Sequence, residues 1–209
     1  MTAVPIGQVI LGTRDLDAAA ATLAADGFTV LDGGVHPGLG TANRIVPLGN
    51  AYLEVLGVID EAEARAQEYG RALLRETGAG DRLVRWSIRT EAIERDATRL
   101  GLTPEHRSRR RPDGSLLTWQ AAGLDGALAE PWLPFFMQWD PPADFPGSIA
   151  VAHPLGSCSL AGVEISTPDP ERLARFTDGR DLPVRVVDGA PGIHAAAITT
   201  PAGEMVIRP

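Results

Sequence analysis

The chain has a single cysteine, Cys158, in 209 residues. That excludes an internal disulfide and any zinc or iron–sulfur site built from several thiolates. No apolar run approaches the roughly 20 residues that a membrane-spanning helix requires. Positive charge is scarce, with 19 basic residues against 27 acidic ones and a formal net charge of -8. Nonspecific nucleic-acid binding depends on phosphate neutralisation and is disfavoured by that balance. No stretch matches a P-loop or a dinucleotide-binding glycine pattern. GSCSLAG, around Cys158, is not a nucleophile elbow, and His153 is the one base in its vicinity. The start, MTAVPIGQVILGTRDL, lacks the basic segment of a secretion signal. The expectation is a cytoplasmic protein with neither a membrane nor a nucleic acid as partner.

Turn-forming residues are abundant, with 23 glycines and 17 prolines, so short strands are expected rather than long helices. A chain of this length buries roughly 70% of its unfolded surface, enough for a substantial core. IGQVILG reads as a strand. TRDLDAAAATLAADG reads as a helix capped by Asp15, with Leu16, Ala20 and Leu23 on one face and Gly27 as its stop. FTVLDG, NRIVPL and AYLEVLGV follow as strands, and a second helix is expected over 61–77. The same order returns in LVRWSIRT, EAIERDATRLG, LTPEHRSR, SLLTWQAAG and LPFFMQW. It returns once more, shortened, in LAGVEIST, PDPERLARF, PVRVV, GIHAAAITT and EMVIRP. The expected organisation is three βαβββ units over 1–80, 81–145 and 146–209. Each leaves a sheet face uncovered and must pack on another unit.

Glu54 stands out because it interrupts the apolar strand Tyr52–Val58. An unpaired carboxylate is costly to bury. Either it pairs across the sheet, with Arg85 or Arg44, or it faces a cavity as a ligand or general base. Overlaying the first two units sets Tyr52-Leu53-Glu54 on Phe136-Met137-Gln138 and Gln8 near Arg85. Strand alternation then places Gln8, Glu54 and Gln138 on one inward surface.

HPGLGTANRIVPLGNAYLEVLG, the stretch PFFMQWD and the later HPLG together resemble the glyoxalase-like domain family of the vicinal oxygen chelate superfamily. The resemblance covers nearly the whole chain, most specifically at His36 and Gly40-Thr41-Ala42-Asn43. It implies an α+β fold of tandem βαβββ modules whose curved mixed sheets surround a cleft, within one chain or across a homodimer. Members of the superfamily include metal-dependent isomerases, epimerases and dioxygenases, and also metal-free drug-sequestering proteins. The implied function is proton transfer on a small carbonyl- or enol-bearing molecule, of isomerase or lyase type. The alternative is non-catalytic small-molecule binding. Fold membership does not choose between them.

The resemblance also implies metal-ligand positions, which in this chain are Gln8, Glu54 and Gln138, with Arg85 at or beside the fourth. That donor set leaves open either no cofactor or one divalent metal ion, since an arginine is no ligand and an amide oxygen is a weak one. Glu54 and His36 are the catalytic candidates. Gln8, Thr41, Asn43, Arg85, Trp86, Phe136, Gln138 and His153 are the substrate-binding candidates. Each has a plainer reading: Asn43 as a hairpin-end bond, His36 and His153 as hydrogen-bonded structural histidines before prolines, Trp86 as core. Arg85 or Arg89 facing the cleft would suit a substrate carboxylate. The basic run HRSRRRPDG is expected to be a solvated strand and hairpin tip.

Overall fold

The computed structural model describes residues 6–141, 145–178 and 181–209. Residues 1–5, part of the segment read above for a secretion signal, lie outside the described residues. The first unit is β1 (Ile6–Thr13), α1 (Leu16–Ala25), β2 (Leu31–His36), β3 (Thr41–Pro47) and β4 (Tyr52–Val58). Helices α2 (Glu61–Ala66) and α3 (Glu68–Glu76) lead to β5 (Arg82–Arg89), α4 (Ile93–Leu100), β6 (Glu105–Arg110), β7 (Leu116–Ala122), α5 (Leu124–Ala129) and β8 (Phe135–Trp139). After a 3₁₀ turn at Pro146–Ser148 come β9 (Ser159–Ser166), α6 (Pro170–Thr177), β10 (Val184–Val186), β11 (Gly192–Thr200) and β12 (Gly203–Ile207). No helix among the described residues is long and apolar enough to cross a membrane.

Local chemistry explains most of these boundaries. The Asp15 carboxylate accepts from Ala18 N at 2.9 Å and starts α1, and Gly27, at φ 91°, follows its end. The helix expected over 61–77 is two helices. Its break falls at Gln67, whose backbone is extended, and Gly70 lies so close to Ala64 that a Cβ would sit 2.4 Å from the Ala64 carbonyl oxygen. The strand expected at FTVLDG begins only at Leu31 and runs on to His36. Helix α5, inserted between the last two strands of the second unit, was not expected.

The first two units close into one eight-stranded barrel of order β1-β4-β3-β2-β6-β7-β8-β5. β1 and β4 run parallel, as do β5 and β8, and the barrel is complete within a single chain. The third unit keeps the expected element order but pairs differently, as a four-stranded sheet β10-β9-β11-β12 in which β9 lies between β10 and β11. β11 lies against β5.

Strands β1 and β4 are buried on both faces, which is why they read as near-continuous apolar runs. Val9, Leu11, Leu53, Val55, Trp86, Ile88 and Phe136 join the outer core with helices and the second sheet. Ile10, Leu56, Phe135 and Met137 form an inner cluster. Glu54 and Gln8 are on the inner side, in register with Ile10 and Tyr52 respectively.

The two seams between modules are unequal. β1 and β5 pair along most of their length, whereas β2 and β6 meet at the single pair Val35 and Arg110. Gly33 and Gly34 make this seam. At φ 142°, a Cβ on Gly34 would lie 2.0 Å from the Arg110 carbonyl oxygen. Gly34→Ala is therefore expected to destabilise the protein by roughly 1–3 kcal/mol, read as a lower denaturation midpoint. An unchanged midpoint would show that the seam tolerates a side chain there.

Candidate active site

A cavity of about 60 Å³ lies inside the barrel. Its polar lining comes from Gln8 on β1, His36 at the end of β2, Asn43 on β3, Tyr52 and Glu54 on β4, and Arg107 and Arg109 on β6. Tyr69 of α3 and Leu39, in the turn after His36, also line it, and Trp119, Phe135, Met137 and Trp139 supply an apolar wall. The Trp119 and Trp139 rings are 5.2 Å apart between centroids.

Glu54 is 5% exposed, and its position follows from parity. Tyr52, Glu54 and Leu56 alternate inward while Leu53 and Val55 face the outer core. The pairings expected for it do not form. Arg44 binds Asp17 and Asp32 on the outside, and Arg85 binds Glu76 at 2.8 Å. Instead Asn43 Nδ2 donates to Glu54 Oε1 at 2.7 Å, and Arg109 Nη1 donates to Asn43 Oδ1 at 2.9 Å. The two bonds fix which way the Asn43 amide points. Glu54 Oε2 receives no hydrogen bond from the described residues, and the Glu54 side chain lines the cavity. Burial pushes the Glu54 carboxyl above the usual carboxylate range, opposed by the Asn43 hydrogen bond and by the charges of Arg109 and Arg85.

His36 Nε2 lies 3.9 Å from Glu54 Oε1, beyond hydrogen-bond distance. Its Nδ1 is 3.1 Å from the hydroxyl of the buried Thr41. Burial, and next the nearby Arg109 charge, lower the imidazole to about 4, so it is neutral at pH 7. Tyr52 donates its hydroxyl to Gln8 Oε1, which leaves the Gln8 amide N–H groups for another acceptor. Thus Gln8, His36, Asn43 and Glu54 meet at one cavity, with Thr41 directly behind His36.

Five candidates lie elsewhere. Gln138 faces outward because Phe135, Met137 and Trp139 are the inward residues of β8, and its Oε1 accepts from Ile93 N at 2.9 Å, at the start of α4. The unit overlay is corrected by one residue: Met137 faces inward where Gln138 was expected. Phe136, also outward, stacks on Phe176. Trp86 is fully buried in the outer core and donates Nε1–H to Trp132 O. His153 accepts from Thr29 N at Nδ1, so its Nε2 carries the proton and donates to Pro47 O at 2.7 Å. It pins the segment after the barrel to β3. Arg85 is wholly buried but sits behind Tyr69, its guanidinium carbon 5.1 Å from that ring's centroid.

The charge run held what was missed. Arg107 and Arg109 line the cavity, so HRSRRR is not simply a solvated hairpin. Their spacing of two on one strand was the available signal. Tyr69 had no comparable mark.

A divalent metal fits this donor set poorly. Glu54 is the lone inward carboxylate near His36 and Gln8, the second module contributes the thioether of Met137 and arginines, and no group of three His, Cys, Asp or Glu side chains converges among the described residues. Tight divalent sites combine several imidazole, carboxylate or thiolate ligands.

Residues 9–179 match the family described as glyoxalase-like domain. The chain belongs to that family, within the vicinal oxygen chelate superfamily. A solved hypothetical protein from Staphylococcus aureus has a TM-score of 0.64 at 14% identity, over 98% of this chain and 86% of that one, which shows the shared fold. Streptomyces coelicolor methylmalonyl-CoA epimerase in complex with 2-nitronate-propionyl-CoA aligns at TM-score 0.47 and 19% identity, over 68% of this chain and all of that one. The Mycobacterium tuberculosis methylmalonyl-CoA epimerase aligns at 0.46 and 15%, over 68% and 92%. Likeness at that level carries no argument about the reaction. No curated protein matches the chain.

The depressed His36 value has a measurable consequence. Its stabilising contribution is complete above the unfolded value near 6.5 and is lost as pH falls through about 4. Glu54, shifted upward, acts in the opposite sense, so the clean background is Glu54→Gln. There the unfolding free energy should drop by about 3 kcal/mol between pH 6.5 and 4. Adding His36→Asn should flatten much of that slope; an equal slope in both proteins would mean that His36 is not held neutral by burial.

Proposed function

We propose that the protein is a proton-transfer enzyme acting on a small carbonyl compound, with Glu54 as the base. The observation that carries this reading is the buried, cavity-lining Glu54 carboxylate, with Oε1 held by Asn43 and Oε2 left without a hydrogen bond among the described residues. Held this way, Oε2 takes a proton from the carbon beside the substrate carbonyl. The electron pair of that C–H bond moves onto the carbonyl oxygen as an enolate. The protonated Glu54 carboxyl then returns the proton to the same or a neighbouring carbon, so atoms and charge balance. Burial raises the basicity of Glu54 toward what such a step needs.

Stabilisation of the enolate oxygen falls to neutral donors. The Gln8 amide N–H groups are available once Oε1 is occupied by Tyr52. His36 serves as a neutral donor through Nε2–H when Thr41 donates to Nδ1. No step passes through a metal. The second reading, non-catalytic capture of a small molecule, draws on the apolar wall of Trp119, Phe135, Met137 and Trp139.

NMR in D₂O separates these readings. Acetone, hydroxyacetone, pyruvate and 2-oxobutanoate are incubated with the protein, and exchange at carbon is compared with buffer. At least one compound should exchange faster with protein, and Glu54→Gln should abolish the effect. Binding without exchange would favour capture. Because a carboxyl with a raised folded pKa stabilises only when protonated, ionised Glu54 costs stability as pH rises through its folded pKa. Glu54→Gln should therefore melt no lower, and by this sign higher, than wild type at pH 8. A marked loss would instead identify Glu54 as a structural carboxylate.

A further inference from the structure

Four buried side-chain nitrogens lack a hydrogen-bond partner among the described residues: Arg85 Nε and Nη1, Arg107 Nε and Arg109 Nε. All four belong to arginines of the barrel strands β5 and β6. Leaving a buried donor unmade is costly, and more so on a charged group. The three arginines are not equivalent. Arg85 already pairs with Glu76 and lies behind Tyr69. Arg107 pairs with Glu105 at the surface end of its side chain. Arg109, 6% exposed, has only the neutral Asn43 oxygen as a hydrogen-bond acceptor among the described residues, and it lines the cavity.

The chain makes room for this arrangement. A Cβ on Gly33 would lie 2.7 Å from Arg109 Nη1 and 2.0 Å from Asn43 Oδ1. Glycine at 33 lets the guanidinium cross the thin β2–β6 seam and reach Asn43. Desolvation disfavours the cation, so the site gains from an anion that replaces the missing water.

We propose that Arg109, seconded by Arg107, receives the carboxylate of the ligand, and that the ligand is a 2-oxo or 2-hydroxy acid of three or four carbons. A guanidinium matches a carboxylate in planar, two-point geometry that an ammonium cannot copy. Length is set by the chain Arg109–Asn43–Glu54, in which one amide bridges cation and base through bonds of 2.9 and 2.7 Å. A ligand spanning the same gap carries its carboxylate and its acidic carbon only an atom or two apart. The cavity of about 60 Å³ sets the upper size, well below the roughly 150 Å³ of a cavity that takes benzene. The assignment of the carbon facing Glu54 rests on the proton-transfer reading; the anion subsite does not.

The test titrates the protein with pyruvate, its neutral isostere pyruvamide, and phenylpyruvate, followed by calorimetry and by the fluorescence of Trp119 and Trp139. Wild type should bind pyruvate at least about tenfold more tightly than pyruvamide, and phenylpyruvate should be excluded. Arg109→Gln should remove the preference for the acid. Arg109→Lys, which keeps the charge and guards against misfolding of the first variant, should retain part of it. Circular dichroism melts establish that each variant is folded. Equal binding of pyruvate and pyruvamide, no binding of either, or a preference surviving in Arg109→Gln would overturn the subsite. Acid-selective binding that depends on Arg109, with no deuterium exchange, would leave the subsite standing and overturn the proton-transfer reading alone.

Discussion

Everything particular to this barrel follows from one constraint, a carboxylate held inside a closed sheet with a single neutral hydrogen-bond donor to satisfy it. Glu54 is buried on both sides by apolar strands, and Asn43 is the only side chain among the described residues that donates to it. Asparagine suits that place because it offers both a donor and an acceptor. Its N–H reaches Glu54 while its oxygen takes the N–H of Arg109. An aspartate there would offer Glu54 no donor, and a leucine would leave both charges without their bridge. The glycine pair at 33 and 34 makes room for the Arg109–Asn43 contact at the seam, and the Tyr52–Gln8 and His36–Thr41 bonds pair the neighbouring polar groups.

The fold was legible because repetition survives noise. Three occurrences of the order strand, helix, strand, strand, strand were readable from turns and apolar runs, and the first two build the barrel. Glu54 was legible as well, since a charge in a strand buried on both faces must meet either a partner or a cavity. Gln138 misled for a physical reason. PFFMQW has no polar alternation, so its facing could not be read, and α5 shifts the spacing of the second unit. The opposite failure hid Arg109. In EHRSRR every residue is polar, so charge alone suggested solvent, and only the partner strands decide which face turns inward. His153 illustrates a third limit: its partners, Thr29 and Pro47, are more than a hundred residues away in sequence.

The arrangement also shows how one fold can change its electrostatics. The inward positions of the second module present Met137 and arginine, so the positive charge acting on Glu54 from the described residues is that of guanidinium groups. On the proposed reading such a site takes an anionic ligand, and a carboxylate without a metal ion is more basic than a metal-bound one. Glu54 and Arg109 are joined through the Asn43 amide, so the proposed base and the proposed anion subsite share one hydrogen-bonded chain.

The most direct measurement is an NMR titration of the Glu54 side-chain carboxyl, assigned by its disappearance in Glu54→Gln. The account predicts a midpoint clearly above the ordinary glutamate value of about 4.3, because burial outweighs the Asn43 bond and the arginine charges. A midpoint at or below that value would mean that Glu54 is either solvated or fully paired, and the barrel would hold no base.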